Sequence, residues 1–463
     1  MKHLLIICCV FISFSFYGQT FNGNWKSMGY GRMLTIKNQN YILKDYTSIS
    51  CVINSKGNLS DLVENISLTK DTLLIKIGIN DYYFVKTDIK ICEKTKNKEK
   101  DPIYNFEVLA ETFNEHYAFY DTRNINWQKM YHKYRSRVTH RTTEHELFLI
   151  IYEMMNEFND GHLGISVPKR IEKNALKLLL KKRTQNTSSI KEINEWDLAK
   201  KVSENLLDTI KTKRNGIIRW GILKSNIGYI QINQMLGFAD YGISNTNDFN
   251  TFWSKYSSKT SKKSDTEIAT DEREGVESII GEVMKDLKNT KALILDVRFN
   301  GGGNDEVSLK ILSNFNEEKK QIGVKMAKYN DGYSKPVPIW IQGSTDAYIK
   351  PVYLLTSKAS ASATEILVLG SLCLDNFTKI GGFTEGIFSD TLNRKLPNGW
   401  EFSLSNEIYL DHLGNNYEVK GIKPDVLLYT SNSISGQFQQ IVDEVNNKRD
   451  KAVLRAIELM NEK

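Results

Sequence analysis

Four short stretches of this chain place chemistry-bearing residues where a strand, a helix or a loop would present them. In "LTSKASASATEILV" an apolar run gives way to Ala359, Ser360, Ala361, Ser362, Ala363 and Thr364 before a helix-like run begins. A serine at a strand-to-helix junction carries its hydroxyl beside a helix N-terminus. The next backbone N–H there is free to bind an oxyanion. A helix-capping serine fits the same pattern. In "ALILDVRFNGGGND" a buried strand runs into Gly301, Gly302 and Gly303. Glycines at a strand end uncover N–H groups that can hold a phosphate or a developing oxyanion. The stretch fits neither G-x-G-x-x-G nor a Walker A loop, and a purely structural turn also fits it. His162 in "FNDGHLGIS" follows a helix end, as either a loop base or a structural histidine. "YEVKGIKPDV" offers Glu418 and Asp425, either as orienting acids or as surface carboxylates.

The elements that must position these residues fall into blocks. Residues 1–18 carry Lys2 and His3, an apolar stretch over 4–17 and a small residue, Gly18. This reads as a secretory signal peptide cleaved near Gly18 or Gln19, with Cys8 and Cys9 too early for a lipoprotein site. Residues 20–92 alternate apolar and polar residues between Asn and Gly breaks and predict a small β-rich domain. A charged linker follows. Residues 102–215 read as a helical region, with helices over 144–158 and about 190–211. Residues 217–430 alternate strands (227–232, 292–297, 352–355, 377–380) with helices (276–288, 305–315, 362–373). That order predicts a mixed α/β sheet with helices packed on it. The polar segment "SKYSSKTSKKSDTEIATDEREG" reads as an insertion loop, and 431–463 as a C-terminal helix.

The 463 residues suffice for a large core. The net charge of +7 comes from lysines mixed among acids, as solvated faces require. No aromatic-studded basic motif points to nucleic acid. No stretch beyond the leader is long and apolar enough to span a bilayer. No Cys or His spacing suggests a metal site, and no cofactor is called for. Export would leave Cys51, Cys92 and Cys373. Cys51 and Cys92 either pair or remain as two buried thiols, and Cys373 looks like a packed helix residue.

Taken together and in order, the four motifs resemble the C-terminal-processing (tail-specific) serine protease family. That family includes the tricorn core protease and the interphotoreceptor retinoid-binding protein modules. The resemblance runs from about residue 104 to 426. It is carried by "LILDVRFNGGG", "LTSKASASATEI" and "LPNGWEFSLSNEIYLDHLGNNYEVKGIKPDV". It implies an α/β (α+β) core of the ClpP/crotonase kind, with the helical region as a cap and the small β-domain in front.

In the tail-specific version a Lys about 25 positions after the nucleophile is the base. From Ser362 that count reaches Ile387, and Lys379 and Lys395 are out of register. The tricorn-like version instead implies Ser362 as nucleophile, His162 as base and Glu418 as orienting acid. Backbone N–H groups of Gly302 (or Gly301) and Ala363 would form the oxyanion hole, while Ser360 and Thr364 serve the turn. Where the tricorn site has a serine before its histidine, this chain has Gly161. Glu418 must then reach His162 directly, through water or through another hydroxyl. About 65 residues separate His162 from the strand at 227, too few for a complete PDZ domain. The expected activity is an exported serine endopeptidase, periplasmic or extracellular, acting on peptides or unfolded proteins. The alternatives are a hydrophobic-ligand- or peptide-binding module without catalysis, and an esterase or amidase with the same triad.

Overall fold

The computed structural model describes residues 21–88, 98–173 and 194–462, apart from 245, 247 and 330. The leader 1–18 and Cys92 lie outside the described residues.

The first described block is an antiparallel seven-stranded sheet built from Gly23–Ser27 through Asn80–Lys86. Its alternation buries one face, with Trp25, Leu34, Ile36, Leu73, Ile75 and Phe84 in a core of its own. The hairpin at Asn38 and Gln39 takes φ of 48° and 69°, the twist a two-residue turn needs. Cys51 is disulfide-bonded.

Three helices follow. Pro102–His116 starts on an Asp101 cap with proline in its first turn, and Trp127–Arg135 on an Asn126 cap. Glu144–Asn156 starts on a Thr143/Glu146 capping box. Their apolar faces (Phe106, Phe113, Leu147, Ile151, Met154) pack with Leu392, Trp400, Phe402 and Leu404. Those last four come from the hairpin Thr391–Lys395/Glu401–Ser405. The short strand Gly164–Ser166 adds to the same hairpin. The loop carrying His162 is therefore pinned at both ends, by a helix behind and a strand ahead.

The central sheet is mixed. Strands Ile227–Ile232, Ala292–Asp296, Val352–Thr356, Phe377–Gly381 and Val426–Leu427 run parallel; Ile218–Leu223 pairs antiparallel with Ile227–Ile232, and Lys211–Lys213 antiparallel with Ile218–Leu223. Successive residues feed opposite faces, Leu293 and Leu295 on one, Ala292 and Ile294 on the other. Each fully buried Leu or Ile contributes about 1.5–3 kcal/mol. Both faces are covered by helices, which is why Ala292–Asp296 and Val352–Thr356 are almost wholly apolar.

Two expectations fail. The polar segment 254–275 is not a loop. It belongs to helices Phe249–Thr260 and Asp265–Leu287. A Ser264/Glu267 capping box starts the second helix. Buried Glu272 accepts hydrogen bonds from the Gly237 and Phe238 amides at 3.0 and 2.9 Å. The surface composition concealed a helix with one sparse buried stripe. The segment 431–463 is two helices, Ile434–Asn446 and Lys451–Asn461, broken where Lys448 takes φ +48° and Asp450 caps the second.

Candidate functional site

Ser362 sits between the strand Val352–Thr356 and the helix Ala363–Ser371 with φ +53° and ψ −127°. Glycine is the residue that adopts this conformation without strain, and a serine held there costs about 1–3 kcal/mol. The hydroxyl makes no capping hydrogen bond. Its Oγ lies 3.2 Å from His162 Nε2, a residue 200 positions away. The geometry therefore decides against a simple helix cap.

Side chains stitch the turn to the neighbouring strand end. Ser360 Oγ donates to the Val297 carbonyl at 2.9 Å, and Ser357 Oγ to the Arg298 carbonyl at 2.5 Å. Thr364, expected to serve the same turn, has a buried Oγ1 with no hydrogen-bond partner among the described residues. Asn300 links three segments. Its Nδ2 donates to the Ile232 carbonyl, its carbonyl accepts from the Ala361 amide, and its Oδ1 accepts from the Gly302 amide at 3.0 Å.

Gly302, at φ +106°, packs against the nucleophile turn so closely that a Cβ would lie 2.6 Å from Ser362 Cβ. Its N–H, expected to face an oxyanion, is committed to Asn300 Oδ1. The Ala363 and Gly301 amides carry no such bond among the described residues, and nothing lies within 4 Å of a Cβ built on Gly301.

His162 is held by its own turn. Asp160 Oδ1 accepts the His162 backbone N–H at 3.0 Å, and the His162 carbonyl accepts from Ser403 Oγ at 2.7 Å. Burial holds the imidazole below the ordinary histidine value, against the opposing pull of Asp160, Asp390 and the Ser389 carbonyl. A neutral imidazole at pH 7 is what a general base requires. Its buried Nδ1 has no partner at full hydrogen-bond geometry among the described residues.

Glu418 is not bonded to His162 in this arrangement. One oxygen meets Arg123 Nη2 at 3.0 Å; the other accepts from the amides of Phe388 and Ser389 at 2.8 and 3.4 Å. A second buried carboxylate, Glu365, accepts from the two preceding amides, Gly386 and Ile387, at 2.8 and 2.7 Å. Four consecutive N–H groups are thus gathered by two glutamates. Burial pushes Glu418 up to about 7 and Glu365 up to about 8. This loop borders the His162 turn, since a Cβ on Gly161 would lie 2.7 Å from Ile387 Cδ1. Arg123 also lies near Asp160 (Nε to Oδ2, 3.6 Å), so one guanidinium serves both acids. Asp425 pairs with Lys379 at 2.9 Å, and Lys395 lies 3.6 Å from Glu401. Each of these lysines thus has an acid partner of its own.

Arg123, Asp160, Asn300, Glu365 and Ser389 were not singled out from the sequence. Glu365 stands inside the quoted "SATEI" and Asp160 inside "NDGH", but helix and turn readings absorbed them. Only the fold shows that they converge. The described residues contain no group of three or more His, Cys, Asp or Glu able to hold a metal. No described helix is long and apolar enough to cross a membrane.

Comparison with known proteins agrees with this geometry. Residues 226–428 match peptidase family S41, and residues 98–156 match the tricorn protease C1 domain. No curated protein matches the chain. Among solved structures, a candidate peptidase from Parabacteroides merdae is 23% identical. The match covers 78% of this chain and 96% of that one, with a TM-score of 0.54. Mature CPAF complexed with lactacystin is 12% identical over 79% of this chain and 99% of that one, with a TM-score of 0.51. Both share the fold. The segment that carries the central sheet and Ser362 thus matches peptidase family S41, and the segment of the first three helices matches the tricorn protease C1 domain.

Proposed function

We propose that the chain is an exported serine endopeptidase in which Ser362 is the nucleophile and His162 the general base. One observation carries this reading: a serine in a glycine-like backbone conformation, its Oγ 3.2 Å from the Nε2 of a buried histidine. His162 Nε2 takes the Ser362 proton as Oγ attacks a peptide carbonyl, then returns it to the leaving amine. Water, activated by the same imidazole, releases the acyl group. The tetrahedral oxyanion is received by the Ala363 N–H and a free amide of the 301–303 turn, with Gly301 the leading candidate. Such a donor is worth about 3–4 kcal/mol in the barrier.

Glu418 acts as a positioning residue. With Glu365 it fixes the 386–389 loop, whose Ser389 carbonyl faces the Nδ1–H of the productive tautomer. The Cys51 disulfide supports export, in line with the reading of residues 1–18 as a signal peptide.

The test is digestion of casein by the purified chain beside Ser362→Ala and His162→Ala. Cleavage by the parent and a loss of at least about 10³-fold in both variants is expected. Three equal preparations would overturn the reading.

A further inference from the structure

A cavity of about 480 Å³ lies away from Ser362, between the turn of the N-terminal sheet and the end of the helix Pro102–His116. It is lined by Lys26, Gly29, Gly31, His116 and Lys328, with Glu115 and Asp331 among its acids. His116 is 93% buried, and neither ring nitrogen has a hydrogen-bond partner among the described residues. A buried imidazole always carries at least one N–H, and leaving such a group unpaired is costly. The backbone is built around this ring: Gly31 takes φ +52°, and a Cβ there would lie 2.3 Å from His116 Nε2.

Lys26 and Lys328 share the cavity wall with Glu115 and Asp331, yet the charges that act most on the His116 ring are all cationic: Arg394, Lys328, Arg32 and Lys26. Arg32 and Arg394 share a single acid, Asp45, at 3.2 and 3.3 Å. Lys26 and Lys328 form no ion pair among the described residues; their ammonium groups sit over the rings of Tyr46 and Tyr120. The nearest acid to the ring, Glu115, lies 3.5 Å from Nε2, but its other oxygen is engaged by the Ser48 amide at 2.7 Å. Burial lowers His116, and the surrounding cations push it the same way; burial lowers Lys328 too, against the opposing pull of Asp121 and Asp331.

We propose that this cavity binds a small oxyanion of the carboxylate or phosphate class, held by Lys26, Lys328 and His116. The occupant supplies the missing acceptor for the imidazole and an ion-pair partner for two lysines that have none among the described residues. The site stands independently of the peptidase reading, because none of its groups belongs to the Ser362 machinery.

The test is calorimetric titration of the full chain with inorganic phosphate, at ionic strength held constant with chloride. Saturable uptake of one phosphate per chain is expected, weakened at least tenfold in Lys26→Met and in Lys328→Met. Both lysines are at the cavity wall, so these variants keep the fold where His116→Ala could lose it. A parallel titration of the Ser362→Ala chain uses a short peptide with a free C-terminal carboxylate and the same peptide amidated. Binding of the acid but not the amide assigns the site to organic carboxylates. Binding of phosphate alone assigns it to inorganic anions. No saturable uptake of any probe, or equal affinity in the parent and both lysine variants, overturns the proposal.

Discussion

The two halves of the candidate site are held by opposite means. Ser362 is fixed by its backbone and its immediate neighbours: a strained φ, a glycine pressed against its Cβ, and two short hydroxyls tied to adjacent carbonyls. His162 is fixed from a distance. It depends on Asp160 beside it, on a hairpin some 240 positions on, and on a loop gathered by two buried glutamates. A local device can survive large changes elsewhere in the chain. A distributed one fails by degrees as its supports are removed.

The largest expected effect breaks the local device. Replacing Ser362 by glycine removes the nucleophile and also relieves the positive φ. Activity should fall at least about 10⁴-fold while stability rises by about 1 kcal/mol. Activity assays and urea unfolding read the two together. If the variant is less stable than the parent, the serine hydroxyl contributes to the fold and the strain argument fails.

The same contrast explains what the sequence disclosed. The nucleophile turn was legible because its causes are contiguous: apolar strand, small residues, helix. So were the four parallel strands, short and mostly apolar and bounded by turn residues, though Thr378 and Lys379 interrupt the last. The histidine was legible only as a loop residue, and its supports were not. Glu365 reads as an ordinary helix residue until the loop carrying Gly386 and Ile387 folds against it, and Arg123 lies 295 positions from the Glu418 it pairs with. The helical stretch 249–275 was missed for a related reason, although the end of its second helix, 276–287, was legible. Ser and Lys on the exposed faces outweighed the few buried positions, Phe252, Tyr256 and Glu272, that hold them down.

Smaller effects are expected when the distributed device is cut. Glu418→Gln keeps the shape but loses the charge facing Arg123 and turns an N–H₂ toward either the guanidinium or the loop amides. If Glu418 works through the 386–389 loop, kcat should drop about 10–100-fold with KM nearly unchanged. The drop should be partial because the imidazole keeps its Asp160 turn. A loss as large as that of His162→Ala would mean that Glu418 contacts the histidine directly.

Glu365 sharpens the point through pH. Its carboxyl titrates at about 8 in the fold against an ordinary value near 4.5, so the folded state binds the extra proton between those limits. Its contribution to stability is complete below about pH 4.5 and is lost as pH rises through about 8. Glu365→Gln, which cannot ionise, should therefore gain stability relative to the parent between pH 5 and 8, by a few kcal/mol at most. His162 acts in the opposite sense. Its folded value is depressed, so its contribution is present above about 6.5 and is lost as pH falls through the folded value. Unfolding curves of parent and variant at several pH values separate the two. Parallel curves would show that Glu365 ionises normally.

The smallest expected effect concerns Gly161, where the tricorn-like pattern has serine. A side chain there meets Ile387 Cδ1 at 2.7 Å, the tip of a flexible group that can rotate aside. Gly161→Ser should therefore cost less than about tenfold in kcat/KM, and adding Ile387→Ala should recover part of that cost. The pair forms a double-mutant cycle whose coupling reports direct contact. The new hydroxyl should not raise activity. Glu418 is already occupied by Arg123 and two loop amides, which leaves it no free oxygen to relay through a serine at 161. A clear gain from Gly161→Ser would show that the carboxylate can leave those amides, and that the loop gathered by the two glutamates is a substitute for the serine relay rather than an obstacle to it.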